Sequence, residues 1–333
     1  MTDAAVLAVN WWCQTTQSPW TWTPKIYVGV WIVMAVLLGT YGLAMRRRAR
    51  TEGLTARDKR AILWFVLGAL ALWLATDWPL GLLGSGYLLS IHTALYIIYT
   101  MAAAPLMLLG IPDWMARRLL GRVRGWSAYR WLVKPWVAAV LLNLALVFTH
   151  IPYVVNTFRA SQAGSFALDA IWLASGFVGW LPIITPFRGD RVQSPVWKCV
   201  YLFVAFGAFP MLPGALITFA AVPLYRVYEL APRFGSWTPE EDQQLAGALM
   251  KVGNIPVLWS VICAVFVKSA LQQQRDDRRL IQVDETGQRV PVTPPSAAAS
   301  TAASTAASAA AAPAASTAPG GDAGPPAPTP SVP

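Results

Sequence analysis

Residues that could bind a ligand or a metal are few in this chain, because only 13% of its 333 residues are charged and only two are histidine. These are His92 and His150. Asp77 and Asp169 lie at the edges of long apolar runs, and Met250 lies inside the last of them. Imidazole nitrogens suit copper among other metals, and a methionine sulfur favours Cu(I). We therefore predict a metal site, with copper as the candidate ion, formed by His92, His150, Asp77, Asp169 and Met250.

The elements that position these residues are apolar helices. Hydrophobic residues make up 56% of the chain, against about 45–50% in soluble domains. They form seven charge-poor runs, each near the roughly 20 residues that cross a bilayer as a helix. Backbone groups in hydrocarbon must be paired within their own segment, which requires helices. We predict an all-α integral membrane protein with about seven transmembrane helices, at residues 26–45, 61–76, 87–109, 135–149, 166–185, 196–222 and 245–267.

The orientation follows from the basic residues. Of the 26 Lys and Arg, 21 lie in the loops and the tail on one side of the predicted spans, and five lie on the other. The positive-inside rule then predicts an outer N-terminus and an inner C-terminus. This orientation places all five candidate ligands towards the outer side. It also explains the net charge of +10 without a nucleic-acid partner.

Three parts of the chain differ in composition. Residues 1–23 carry several tryptophans and no basic start typical of a signal peptide, so we predict an interfacial lead-in on the outer side. Residues 24–272 hold the seven-helix domain. Residues 273–333 are dominated towards their end by Ala, Pro, Ser and Thr, a composition that cannot bury a core. We predict that they form a cytoplasmic, largely disordered tail.

The clearest local motif marks a helix start before the last span. Thr238 is a suitable N-cap, Pro239 suits the first helical position, and Glu241 completes a capping box. Residues three and four apart share a helix face. One face of this helix carries Gln243, Gly247, Met250 and Asn254.

Several strings together resemble a known family. They are His92 to Tyr96, the Ala104, Pro105, Leu106 segment up to Gly110 and Pro112, His150 to Pro152, and Pro239 followed by Asp242, Gln243, Gln244, Leu245, Ala246, Gly247 and Met250. In this order, between about residues 20 and 271, the chain resembles the seven-span CtaG-type cytochrome c oxidase assembly factors. The D-Q-Q-L-A-G-x-x-M string is the most specific part. The family usually has H-x-x-x-H in the third span, and in this chain Tyr96 replaces the second histidine of that motif. The family often has a further histidine early in the fifth span, and this chain has Asp169 near that position.

The resemblance implies a multi-pass protein of the bacterial cytoplasmic (inner) membrane. It implies that the protein helps to mature a haem-copper oxidase, at a copper centre on the outer side of the membrane. The expected partners are oxidase subunits or other oxidase assembly factors, together with the lipid bilayer. No enzymatic activity is expected.

Two other classes of function remain open. A copper or small-solute permease would carry polar residues at the bilayer midplane, and the spans have few there. A membrane redox enzyme would need a larger set of cofactor-binding histidines. Metal analysis of the purified protein separates these classes.

The predicted orientation can be tested with reporter fusions. We expect a reporter that is active only outside the cytoplasm to give signal when fused after Gly84 and none when fused after Gly53, because the basic asymmetry places these loops on opposite sides. The reverse pattern would invert every placement made from charge.

Overall fold

The computed structural model describes residues 10–121, 123–192, 194–283 and 289–291. Its helices within these ranges are α1 (Val28–Thr51), α2 (Ala56–Thr76), α3 (Leu80–Gly86), α4 (Leu89–Ile97), α5 (Ala104–Leu109), α6 (Asp113–Leu120), α7 (Val123–Leu132), α8 (Pro135–Thr149), α9 (Pro152–Arg159), α10 (Gln162–Ile184), α11 (Pro195–Leu202), α12 (Met211–Phe219), α13 (Arg226–Glu229), α14 (Pro239–Val252) and α15 (Ile255–Leu280). A 3-10 turn, Arg188–Asp190, follows α10.

Six helical stretches in the described part of the chain are long and apolar enough to cross a membrane. A seventh is obtained if the bent pair Gly125–Leu132 and Pro135–Thr149, which meet at 85°, counts as one span. The predicted all-α membrane architecture with about seven spans is therefore confirmed. The second span differs in its start. It begins at Ala56 rather than at residue 61, because Thr55 and Asp58 form a capping box among the basic residues.

The third and sixth spans each contain a widened π-helical turn. The segment Ile98–Ala103 joins α4 to α5, and Phe203–Ala208 follows α11. Each lies shortly before a proline, Pro105 in the first case and Pro210 in the second. A proline removes one helical hydrogen bond and crowds the preceding turn, which accounts for both irregularities.

Helices α12 and α14 cross at two glycines, Gly214 and Gly247. A Cβ atom on Gly247 would lie 2.6 Å from the carbonyl oxygen of Gly214 and would also collide with the Thr218 side chain. Small residues of this kind let two backbones approach closely inside a membrane. Three residues of the predicted face, Gln243, Gly247 and Met250, are buried in α14. Asn254 is also buried, but it follows the end of α14 at Val252.

Both ends of the chain differ from the seven-helix pattern. From residue 10 to α1 the chain forms no helix, but Trp12 and Cys13 are buried. The preceding part of the predicted lead-in lies outside the described residues. At the other end, α15 continues past residue 272, where we placed the end of the seven-helix domain. It reaches Leu280 through Gln and Arg residues that favour helix.

The chain from Ala270 onward belongs to a second unit. In it, strand β1 (Ile281–Val283) pairs antiparallel with β2 (Arg289–Pro291). The remainder of the predicted disordered tail lies outside the described residues.

The glycine crossing predicts the effect of one methyl group. We expect Gly247→Ala to lower the melting temperature of the detergent-purified protein, because the new Cβ overlaps the Gly214 carbonyl. Gly42→Ala in α1 is the matched control, since nothing lies within 4 Å of its notional Cβ. An exposed helical glycine gains up to about 1 kcal/mol from alanine, so this control should be equal to or more stable than the wild type. Equal melting temperatures for both variants would contradict a close crossing.

Candidate functional site

The structure brings the two histidines together at one end of the bundle, where α4 begins and α8 ends. His92 is completely buried, at 0% exposure, and His150 is buried beside it. Their ring centres are 5.6 Å apart, with planes at 82°. The ring centres of Tyr96 and His150 are 5.1 Å apart, and those of Trp172 and His92 are 4.8 Å apart. The histidines therefore form a pair enclosed by aromatic rings.

The tautomer of His150 can be assigned from its hydrogen bond. Its Nδ1 lies 2.9 Å from the carbonyl oxygen of Leu146, which can only accept. Nδ1 therefore carries the proton, and Nε2 carries a lone pair. Burial lowers the pKa of His150 to about 4, so the ring is neutral at physiological pH.

The same assignment follows for His92. Its Nδ1 lies 2.8 Å from the Tyr228 hydroxyl, which donates to the Gly84 carbonyl oxygen at 2.6 Å. The hydroxyl has one proton, so it accepts from a protonated Nδ1. Arg159 Nε faces the same nitrogen from 3.3 Å, which is beyond the usual range of 2.7–3.2 Å for a bond of this kind. We assign the tautomer from the shorter contact, and it leaves a lone pair on Nε2.

Both Nε2 atoms are buried and have no hydrogen-bond partner among the described residues. Metal-binding histidines commonly have this arrangement, in which the other ring nitrogen donates to a neighbour and fixes the ring. Two rings that share one ion through bonds of about 2.0–2.1 Å have centres about 6 Å apart, slightly less when the angle is bent. The observed ring centres are 5.6 Å apart, slightly less than this distance.

The protein supplies few further ligands of the usual kinds. The described part of the chain contains no group of three or more His, Cys, Asp or Glu side chains that could hold a metal. A site with two imidazole nitrogens suits an ion of low coordination number, and imidazole is an accepted copper ligand.

A buried arginine that the sequence analysis missed lies next to the pair. Arg159 is one of the five basic residues that the charge count assigns to the outer side, and only 1% of it is exposed. Its Nη2 donates to Asp169 Oδ1 at 3.0 Å, and its guanidinium lies 5.1 Å from the Trp172 ring centre. Burial alone would lower the pKa of Arg159, but the Asp169 carboxylate and the Tyr228 and Tyr99 hydroxyls raise it above its usual range. The sequence does contain a signal of this burial. Arg159 is the one charged residue between the fourth and fifth predicted spans.

The other three predicted ligands have different surroundings. Both oxygens of Asp169 are engaged, because Oδ2 accepts from Trp12 Nε1 at 2.8 Å. Asp77 ends α2, and its Oδ2 accepts from Trp73 Nε1 at 3.0 Å. Met250 is buried in the apolar cluster that also contains Tyr96. Asp169 is therefore the ion-pair partner of Arg159. Asp77 caps the end of α2, and Met250 is a core residue.

Asp242, the first residue of the most specific string, holds the helix that carries His92. The first backbone N–H groups of a helix have no partner inside it, and Leu88 at the cap of α4 offers no side-chain acceptor. Asp242 supplies it from α14. Its Oδ2 accepts from Leu89 N at 2.6 Å, and its Oδ1 accepts from Ser90 N at 3.1 Å and from the Ser90 hydroxyl. A carboxylate at a helix N-terminus is also favoured by the helix dipole.

The next residue of the string, Gln243, fixes the segment that covers the histidines. Its side chain accepts from Leu224 N at 2.6 Å and donates to the Val222 carbonyl oxygen at 3.2 Å. Helix α13 follows, and Tyr225 donates to the His150 carbonyl oxygen at 2.7 Å. The sequence analysis missed Tyr225 and Tyr228, although two tyrosines three residues apart in a short loop share a helix face.

The other positions in the family strings have structural roles or face outward. Gly110 accepts from Tyr41 through its carbonyl oxygen at 2.8 Å, and Pro152 is in the first turn of α9. Pro239 is the first residue of α14, directly after the N-cap Thr238. The predicted capping box of Thr238 and Glu241 is confirmed. Gln244 is exposed.

The buried ion pair predicts a non-additive pair of mutations. We expect Arg159→Met or Asp169→Leu alone to destabilise the protein strongly, by about 3–5 kcal/mol, because each leaves one buried charge without its partner. The double variant should lose less than the sum of the two, since no isolated charge remains. Thermal denaturation of the three variants in one detergent measures this, and additive losses would show that the pair is not coupled.

Comparison with known proteins identifies the family of this chain. The family model described as cytochrome c oxidase caa3 assembly factor (Caa3_CtaG) matches residues 39–271, which is more than half of the chain and includes the histidine pair, the ion pair and Asp242. No curated protein and no solved structure matches the chain. The chain therefore belongs to the Caa3_CtaG family of cytochrome c oxidase assembly factors.

Proposed function

We propose that this oxidase assembly factor holds copper, as Cu(I), between His92 and His150 and passes it to a copper centre of the oxidase. The observation that carries the proposal is the pair of buried Nε2 atoms without hydrogen-bond partners in the described structure. A buried polar atom left unpaired costs about 1–3 kcal/mol. An ion bound between the two nitrogens removes that cost for both.

The surroundings favour a monovalent ion. The two imidazoles are neutral in the assigned tautomers, and Arg159 is balanced by Asp169 at 3.0 Å. Cu(I) adds only a single charge to this apolar, aromatic environment, where burying charge is costly. The lone pairs are available without deprotonation, because burial holds the pKa of His150 at about 4.

The remaining parts of the proposal follow from charge and family. The protein lies in the bacterial inner membrane, with the histidine pair towards the outer side, as the basic asymmetry indicates. It acts without catalysing a reaction, and its partners are oxidase subunits or other oxidase assembly factors. Copper is the cargo that they receive.

The test uses a strain that lacks this protein. We expect oxidase subunits to be made but to contain little copper, and added copper to restore activity in part, because mass action can replace a delivery factor. Oxidase activity, subunit abundance, and the copper and haem contents of membranes are measured together. The doubly substituted His92→Phe/His150→Phe protein should fail to restore the copper, although it is present in the membrane at the wild-type level.

Gln244→Ala is the matched control, since this exposed residue belongs to the family string but lies outside the site. It should restore activity like the wild type. The purified wild-type protein should bind copper after incubation with Cu(I), and the double variant should lose it. Normal copper and activity in the deletion strain would exclude assembly and favour a permease, whereas normal copper with absent haem would move the target to haem insertion.

A further inference from the structure

A second site lies at the end of the bundle opposite to the histidine pair. A cavity of about 380 Å³ is enclosed by the end of α1, the start of α2, the junction of α5 and α6, and the segment after α10. The proposed copper site does not involve it.

The charged groups of this cavity are mainly cationic. Four arginines line it, from three separate segments of the chain: Arg48, Arg57, Arg60 and Arg191. Two carboxylates, Asp58 and Asp113, also line it. The four cations exceed the two acids and converge from distant parts of the sequence.

One of the two carboxylates is already occupied by local bonds. Asp58 Oδ2 accepts from Thr55 N at 2.9 Å and from the Thr55 hydroxyl at 2.6 Å, which caps α2. Its Oδ1 accepts from Trp114 Nε1 at 3.2 Å. The arginines thus remain the cavity's main means of recognising a ligand, and they favour an anion.

Arg48 and Arg191 are held at the cavity wall by contacts of their own. Arg48 pairs with Glu52, and its guanidinium lies 5.6 Å from the Trp114 ring centre. Its Nε is buried and has no hydrogen-bond partner within the described ranges. Arg191 Nε donates to the Thr185 carbonyl oxygen at 2.7 Å. Guanidinium groups fixed in this way match phosphate oxygens in geometry.

The other wall of the cavity is apolar. Leu108, Leu109, Ile111 and Ile184 form it, and Leu109 belongs to the exposed apolar surface of the bundle. Two tryptophans, Trp64 and Trp114, complete the lining, and tryptophan is typical of the membrane–water interface. A soluble anion needs no apolar wall, whereas a lipid offers acyl carbons next to its phosphate.

We propose that this cavity binds the phosphate headgroup of an anionic phospholipid, such as phosphatidylglycerol, with the start of its acyl chains against the apolar wall. Basic pockets between transmembrane helices are typical sites for anionic lipid headgroups. The proposal rests on the cavity and its lining, and it is independent of the copper site.

The test compares two double variants with the same change in charge. Arg57→Gln/Arg60→Gln removes two lining arginines, and Arg46→Gln/Arg47→Gln removes two exposed neighbours that do not line the cavity. The full-length proteins are purified in a neutral detergent and titrated with phosphatidylglycerol or phosphatidylcholine, and bound lipid is counted by native mass spectrometry. We expect the first variant to bind phosphatidylglycerol roughly 25-fold more weakly, at about fivefold for each arginine. The second variant should bind it like the wild type.

Each result decides the question. Equal weakening in both variants would mean that bulk surface charge attracts the lipid, and it would overturn a specific site. Displacement of the lipid by an equal concentration of inorganic phosphate would assign the cavity to a soluble anion and would also overturn the proposal. If the lining double variant does not fold, Arg60→Gln alone should still bind phosphatidylglycerol about fivefold more weakly.

Discussion

A buried guanidinium can persist in an apolar bundle only if a carboxylate lies against it, and the end of the bundle that holds the histidines is built around this requirement. Arg159 is the last residue of α9, and Asp169 lies in α10, so the ion pair sets the distance between these two helices. Trp12 binds the second carboxylate oxygen and brings the N-terminal segment to the same point. His92 and Trp172 then pack beside the guanidinium. The geometry of the histidine pair depends on this one neutralised charge.

The spans were predictable from sequence because hydrocarbon imposes a simple rule of apolar composition and internal pairing. The start of α14 was predictable because a capping box needs only residues close together in the chain. The burial of Arg159 was missed because charge counting treats every basic residue in a loop as solvated. The roles of Asp242, Tyr225 and Tyr228 could not be predicted, since their partners lie 75 to 153 positions away and are set by packing.

The two ends of the bundle solve the problem of charge in a membrane differently. Beside the histidines, the buried Arg159 is paired with Asp169, and the two imidazole Nε2 atoms have no hydrogen-bond partner among the described residues. At the other end, arginines from several segments line a cavity. The first end therefore holds neutral donor atoms, and the second holds cations. One helical scaffold can therefore present opposite chemistries because its charged residues are confined to the helix ends.

The cap on α4 has a consequence for synthesis. Leu89 and Ser90 leave the ribosome about 150 residues before Asp242, the carboxylate that accepts from their backbone N–H groups. Until α14 enters the bilayer, the first turn of α4 has only water to bind, so it must stay at the membrane surface. His92 lies in that turn and cannot reach its final depth beside His150. An unfinished chain thus lacks the paired histidines until translation of the last span is complete.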